Sequence, residues 1–186
     1  MVIVQVDDSL HSIEKRLGNL SYKAPKVLCK AINDTATWAR RELAREAKKT
    51  YTVKMGGFNR SMKIRKANYS SLEATIESEG APIELKQYKY SAGVKTTKAQ
   101  VITSGGLKEL NKSGIKAFVA NFASGHASIA QRQGPERLPI KVLFSNSIPV
   151  MLGNEKRVYG IVEPEIQKKL SEQVEKHIKK VLEGYE

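Results

Sequence analysis

The sequence predicts an α+β fold in which an antiparallel sheet of about five or six strands packs against a long N-terminal helix, with a C-terminal helix. Near both ends of the chain, apolar residues recur every three or four positions, a spacing typical of amphipathic helices. Between these segments the apolar period changes to two, which indicates half-buried strands. A chain of 186 residues, 40% of them hydrophobic, can form one core of this kind, so residues 1–186 are predicted to be a single domain.

Residues 1–55 are predicted to be a helical, basic N-terminal part that begins with a short strand-like stretch. Asp8 and Ser9 can cap a short helix that ends near Leu17. The long helix is expected over about 24–49, where apolar residues recur at spacings of three and four. Pro25 is compatible with this start, because a proline is tolerated in the first turn of a helix. Its apolar stripe consists of Leu28, Ile32, Ala36, Ala39, Leu43 and Ala47. The alanines in this stripe allow a neighbouring element to pack closely.

Residues 62–132 are predicted to form the antiparallel sheet. In the clearest strand, Leu72, Ala74 and Ile76 alternate with polar residues, as in a strand with one buried face. The polar segment 91–98 shows no period and is expected to be a mobile loop at a hairpin tip. The other strands are expected at 62–67, 87–90, 99–103, 116–122 and 126–132.

The last part of the chain is predicted to be an extended loop over 133–153, followed by the C-terminal helix within 160–186. This helix is expected from about Pro164, with three ion pairs between residues four apart, Glu165–Lys169, Glu172–Lys176 and Glu175–Lys179. Its apolar seam consists of Ile166, Leu170, Val174, Ile178 and Val181. The seam is narrow, so the helix can pack either on its own domain or on a neighbouring subunit.

The positive charge is concentrated in one stretch of the chain. The net charge is +13, and residues 23–70 alone hold thirteen Lys and Arg against three Asp and Glu, a net of +10. Such a field attracts polyanions, namely nucleic acid, an acidic protein or phosphate, although a solvated basic face is an equally good interpretation. The candidate polyanion contacts are Arg40, Arg41, Arg45, Lys48, Lys49, Arg60, Lys63 and Arg65.

No constellation of catalytic or metal-binding residues is recognisable in the sequence. His11, His126 and His177 are far apart and form no pair with ligand spacing, so neither a metal ion nor another cofactor is expected. Cys29 lies on the apolar side of the long helix and is expected to be a small buried residue, while His177 is expected to be a packing residue. No apolar run approaches about 20 residues, so no membrane partner is expected. The protein is therefore predicted not to be an enzyme.

One stretch, residues 116–151, combines a predicted hairpin with an extended segment. Gly125 can supply a positive φ at the hairpin turn. Arg132 and Arg137 are expected to place two guanidinium groups near His126. These groups can bind an acidic or phosphate partner, but the preferred interpretation is that they tie the hairpin to the following loop or to an adjacent subunit.

The same stretch resembles the phage minor tail protein Z family and, more loosely, the HK97 gp10-like tail-completion proteins. The family pattern places Gly-Pro where this chain has Ser145-Asn146. The matching residues are Lys116-Ala117-Phe118-Val119, Gly125-His126, Arg132, Arg137-Leu138-Pro139-Ile140 and Ser147-Ile148-Pro149.

The resemblance implies a structural minor tail protein of a tailed bacteriophage or prophage, which completes the head-proximal end of the tail and helps to join it to the head. It implies a homo-oligomeric ring in the virion tail, assembled in the host cytoplasm. The implied partners are the tail terminator, the major tail protein and, in the lumen, the tape measure protein or DNA. An assembly role, rather than a catalytic one, is implied for Gly125, His126, Arg132, Arg137, Pro139 and Pro149. The alternative is a DNA-binding module that uses the basic stretch 23–70.

Overall fold

The structure, a computed structural model, describes residues 2–5, 10–54, 57–93 and 96–184. Its α+β architecture confirms the predicted fold class. The helices are α1 (Leu10–Leu17), α2 (Ala24–Thr50), α3 (Ile148–Leu152) and α4 (Tyr159–Leu182). The strands are β1 (Val2–Gln5), β2 (Met62–Arg65), β3 (Glu73–Ser78), β4 (Pro82–Glu84), β5 (Lys89–Ala92), β6 (Thr97–Gln100), β7 (Lys108–Glu109), β8 (Asn111–Lys112), β9 (Ile115–Lys116), β10 (Phe118–Asn121), β11 (Ala127–Arg132), β12 (Ile140–Val142) and β13 (Phe144–Ser147).

Helix α2 is the central element of the fold. It contacts α1, α4 and the strands β1, β2 and β3. Pro25 lies in its first turn, where its missing N–H costs no helical hydrogen bond. The predicted apolar stripe is confirmed, since all six of its residues are buried, including its three alanines. The short helix α1 is confirmed as well, while its expected caps, Asp8 and Ser9, lie outside the described residues.

The strands are divided among several small antiparallel sheets instead of one continuous sheet. The orders are β1-β3-β2, β10-β11-β12 and β5-β6-β7, with the further pairs β4–β13 and β8–β9. In the first sheet Ala74 and Ile76 turn inward and are buried, as the alternating pattern predicts. Leu143 links two of the other sheets, because its N–H donates to the Ile129 carbonyl and its own carbonyl accepts from the Leu85 N–H, both at 2.9 Å.

Helix α4 begins at Tyr159, five residues before the predicted start at Pro164. In the turn before it, the Val158 N–H donates to the Asn154 carbonyl at 2.9 Å, and the buried residues Val158 and Val162 extend the apolar seam toward the N-terminus. All five predicted seam residues are buried, and α4 packs on α2 of the same chain. Of the two packing partners considered for this helix, the structure therefore selects its own domain.

Several charged residues of α4 contact partners other than the predicted ones. Lys179 Nζ lies 3.6 Å from Glu183 Oε1 instead of pairing with Glu175. Lys169 contacts Glu172, three residues away, at 2.8 Å. Glu175 accepts two hydrogen bonds from the Arg16 guanidinium on α1, at 2.7 and 2.6 Å. A bidentate pair of this kind has fixed geometry, so it orients α1 against α4. Helix spacing alone does not reveal such a partner on another element.

The hairpin of β5 and β6 extends into the segment that was expected to be a mobile loop. The expected strands at 87–90 and 99–103 are shifted toward the tip, where Ser91 pairs with Lys98 and Ala92 with Thr97. Backbone hydrogen bonds between strands need no apolar side chains, so the polar composition of 91–98 did not indicate them. Val94 and Lys95, within the expected loop, lie outside the described residues.

Residues 133–153 contain more regular structure than the predicted extended loop. Strand β12 pairs with β11, and strand β13 pairs with β4 through an irregular register. Helix α3 follows at once, with Pro149 in its first turn. These elements are only three to five residues long, too short for an apolar period to identify them in the sequence.

Candidate functional site

The predicted turn between β10 and β11 has the geometry that its glycine suggested. Gly125 has a φ of 79°, in the left-handed region that favours glycine. Its N–H donates to the Phe122 carbonyl at 2.9 Å, and the Phe122 N–H donates to the His126 carbonyl at 2.8 Å. The turn therefore presents the His126 side chain at the end of the hairpin, where about half of the side-chain surface is exposed.

Glu84, on β4, is the partner that the hairpin meets. His126 Nε2 lies 3.1 Å from each carboxylate oxygen of Glu84. Ser128 Oγ donates to Glu84 Oε2 at 2.6 Å. The Phe122 ring stacks on the imidazole, with ring centres 6.1 Å apart. These contacts fasten the β10–β11 hairpin to a strand more than forty residues earlier in the chain.

The arrangement of Glu84, His126 and Ser128 is unlike that of a nucleophilic hydrolase. The Ser128 hydroxyl donates to the Glu84 carboxylate and not to the His126 imidazole. The imidazole is therefore not placed to accept the hydroxyl proton, as the base of a nucleophilic serine must be. The hydrogen bond from Ser128 is the main cause that lowers the pKa of Glu84, and His126 lowers it further. Burial raises the pKa of Glu84, but the hydrogen bonds and the nearby positive charges together outweigh it. The cluster is chemically suited to holding two strands together.

Glu84→Gln is expected to remove a part of the stability that depends on pH. Because the pKa of Glu84 is lower in the folded protein than in the unfolded chain, its contribution is full above the unfolded value of about 4.3 and is lost as the pH falls through the folded value. We expect the variant to unfold about 1 kcal/mol more easily at pH 7. Urea unfolding should show this difference shrinking toward pH 3. Glu136→Gln, at an exposed position, is the control; a constant difference at all pH values would contradict the assignment.

The expected proximity of Arg132 and Arg137 to His126 is wrong. His126 lies directly before β11 and Arg132 is its last residue, so at least the length of the strand, roughly 17 Å, separates them. Arg137 lies beyond that far end, in the loop that the hydrogen bond from Gln133 N–H to the Pro139 carbonyl closes at 3.1 Å. Sequence proximity within the motif was misleading because an extended strand carries its ends apart.

Pro149 has a structural position at the edge of an apolar cavity. Its carbonyl accepts the Gly153 N–H at 2.9 Å, which closes α3. The cavity, of about 280 Å³, is bordered by Pro149 and Leu152 on one side and by Leu43, Met62 and Tyr159 on others. The Ser147-Ile148-Pro149 part of the motif thus begins a helix packed near the central α2.

The predicted basic face of α2 is real but partly neutralised. Arg41, Arg45, Lys48 and Lys49 are exposed, while Arg40 is half-buried at the edge of the packed face. Two of the exposed cations have carboxylate partners on the same helix. Arg45 pairs with Glu42, and Lys49 Nζ lies 2.9 Å from Glu46 Oε2. The face therefore presents less net charge than the count of basic residues suggests.

The other three predicted contacts lie on a separate surface around β2. Arg60, Lys63 and Arg65 are exposed and border one groove. Glu77 and Glu79 border the same groove, and Arg65 Nε lies 3.0 Å from Glu77 Oε2. The structure thus divides the predicted polyanion contacts between two surfaces, each of which includes acidic side chains.

His177 and Cys29 each connect two segments of the fold through a side-chain contact. His177 is buried, and its Nε2 lies 3.0 Å from Asp34 Oδ2 on α2. The half-buried Cys29 thiol donates to the Ala67 carbonyl at 3.2 Å. Within the described ranges, no group of three or more His, Cys, Asp or Glu side chains could hold a metal ion. None of the helices described here is both long and apolar enough to cross a membrane.

Comparison with known protein families matches residues 10–185 to the family described as prophage minor tail protein Z (GPZ). The match includes all the described helices and every described strand apart from β1, and it contains the Gly125-His126 turn. No curated protein and no solved structure matches the chain.

Proposed function

Since the chain belongs to the prophage minor tail protein Z family, we propose that it completes the head-proximal end of the phage tail and helps to join the tail to the head. We propose that it does so as a ring of identical subunits, in contact with the tail terminator, the major tail protein and the tape measure protein. The virion tail would be its final location, after assembly in the host cytoplasm. The match over nearly the whole fold is the observation that supports this function.

Two features of residues 116–151 favour subunit interfaces in that part of the molecule. Strands β10 and β12 are the outer strands of their sheet, and an outer strand has backbone groups that a second chain can pair with. Leu138, Phe144 and Val150 are each more than half exposed, although they are large and apolar. Apolar side chains of this size at the centre of an interface contribute strongly to association.

Phe144→Ser is expected to prevent assembly without unfolding the protein, because the ring of Phe144 is 53% exposed. In a prophage whose own copy of the gene is deleted, we expect the variant to fail to restore infectious particles and to leave unjoined heads and tails. Electron microscopy of induced lysates and a titre of infectious phage measure this. Tyr69→Ser, which changes an aromatic residue that is 66% exposed outside the motif, should restore both.

The location can be tested separately by labelling the protein in purified particles. Gold-labelled antibody should mark the head-proximal end of the tail. Absence of the protein from purified virions, or label along the whole tail, would contradict the proposed role. Either result would leave the family membership unchanged.

We also propose that the protein acts without catalysis. Its Glu84–His126–Ser128 contacts hold strands together, and His177 lies in the core. DNA binding through residues 23–70 is the competing proposal for its activity. The exposed side chains of Arg41, Arg45 and Lys48 on one side of α2 favour it, while the glutamates that pair with this face count against it.

A further inference from the structure

A second basic concavity lies outside the stretch 23–70. It is formed where the β8–β9 turn approaches the paired strands β11 and β12, and its volume is about 280 Å³. Lys112 and Ser113 border it from the turn, and Arg132 and Lys141 border it from the strands. No carboxylate is among the described residues that line it. We refer to this concavity as the Lys112–Arg132–Lys141 pocket.

The turn and the strands are fixed relative to one another. Ser113 and Gly114 have φ angles of 53° and 80°, which close the turn between β8 and β9. The side chain of Gln131 is buried, and its Nε2 donates to the Ile115 carbonyl at 2.5 Å. This hydrogen bond fastens the β8–β9 hairpin to β11, so Lys112, Arg132 and Lys141 are held around one concavity.

The charge of this pocket is less compensated than that of the α2 face. Over the described residues, none of Lys112, Arg132 and Lys141 has a carboxylate within 4.0 Å. On α2, by contrast, Arg45 and Lys49 contact glutamates of their own helix. Three uncompensated positive charges around one concavity repel one another, and a bound anion would relieve that repulsion.

We propose that the Lys112–Arg132–Lys141 pocket binds phosphate groups of a nucleic-acid backbone. A guanidinium fork matches two oxygens of one phosphate, and two ammonium groups add point charges beside it. A single carboxylate from a protein would leave most of the charge uncompensated. Among the described residues that line the pocket, Ile115 is the one apolar side chain, and none is an aromatic residue of the kind that anchors protein interfaces.

The test compares two variants that each lose three positive charges. The pocket variant is Lys112→Ala/Arg132→Ala/Lys141→Ala, and the control is Arg41→Ala/Arg45→Ala/Lys48→Ala. Affinity for a fluorescent DNA duplex of mixed sequence is measured by anisotropy over a range of salt concentrations. We expect the pocket variant to lose at least about tenfold in affinity at low salt, and the plot of log K against log salt to become shallower by about 2–3. The control should lose clearly less.

Equal losses in the two variants would overturn the proposal, because they would show a general field effect of the net charge of +13. A pocket variant with unchanged affinity for DNA would overturn the proposal too. If the triple variant does not fold, as judged by thermal unfolding, Lys141→Glu at an exposed position replaces it, with Arg41→Glu as its control. The outcome in each case is read from DNA affinity.

Two competitors separate the possible sources of the anion. Inorganic phosphate should displace DNA from the unmodified protein only at millimolar concentrations, because it offers one phosphate where the backbone offers several. Inorganic phosphate that binds in the pocket while the pocket variant keeps full DNA affinity would overturn the proposal. Tighter binding of polyglutamate than of DNA at the same salt would also overturn it, in favour of an acidic protein partner. DNA affinity in solution is independent of the position of the protein in the tail, so failure here and failure of the assembly role are distinguishable.

Discussion

Ile32→Ala is expected to lower the free energy of unfolding by about 2–5 kcal/mol. Ile32 is 0% exposed on α2, the helix that contacts α4 on one part of its surface and the β1-β3-β2 sheet on another. Truncation removes buried apolar atoms and leaves a cavity in the packed face of α2. Urea unfolding, followed by circular dichroism, measures the change as a lower midpoint with an unchanged slope.

A graded series sharpens the test of this position. Ile32→Val removes one methylene group and should cost only about 0.5–1.5 kcal/mol. Lys48→Ala, on the exposed face of the same helix, should change the stability by less than about 0.5 kcal/mol. A loss below about 1 kcal/mol for Ile32→Ala would mean that α2 does not have the central position described above.

Gly160→Ala is expected to destabilise the start of α4. A Cβ built on Gly160 would lie 2.2 Å from the Glu155 carbonyl oxygen, a backbone atom that cannot move aside alone. Alanine normally stabilises a helix by about 0.5–1 kcal/mol relative to glycine. Here the steric conflict outweighs that gain, and we expect a net loss of about 1–3 kcal/mol. Thermal unfolding and urea midpoints measure it.

Gly134→Ala is the matched control for Gly160→Ala. A Cβ at Gly134 would meet no heavy atom within 4 Å outside its chain neighbours, and its φ is not in the left-handed region. We expect no loss of stability there, and a gain of about 0.4–1 kcal/mol if the alanine fits the native conformation, because it restricts the unfolded chain. Equal effects at the two glycines would show that the turn before α4 is not as tight as described.

The requirement for glycine could be predicted from the sequence at Gly125 but not at Gly160. The sequence predicts a turn at Gly125 because two strand candidates separated by a short gap require a tight turn, and its φ of 79° fits that requirement. Gly160 gave no such signal, since it lies within a helix whose predicted start was Pro164. Its requirement for glycine comes from the approach of Glu155, which depends on how the preceding turn packs.

The positions of charged residues could be predicted from the sequence, but their partners could not. The count of charges located a basic helix correctly, and its exposed residues Arg41, Arg45 and Lys48 are where the periodicity placed them. Neither the Arg16–Glu175 pair nor the Glu84–His126 pair was predicted, because their members are 159 and 42 residues apart. Arg132 was assigned to the wrong neighbourhood for the opposite reason, since it is close to His126 in sequence and far away in space.

The sequence by itself determined the α+β class, the bounds of α2, the apolar seam of α4 and the resemblance to a tail protein family. The fold class and the helix faces depend on local periodicity, and the resemblance depends on short motifs such as Gly125-His126 and Arg137-Leu138-Pro139-Ile140, both of which the sequence contains. The tertiary structure alone decided that α4 packs on its own α2, that the strands form several small sheets, and that Lys112, Arg132 and Lys141 share one pocket. Such juxtapositions depend on which distant segments bury each other's surfaces, and no single segment specifies that.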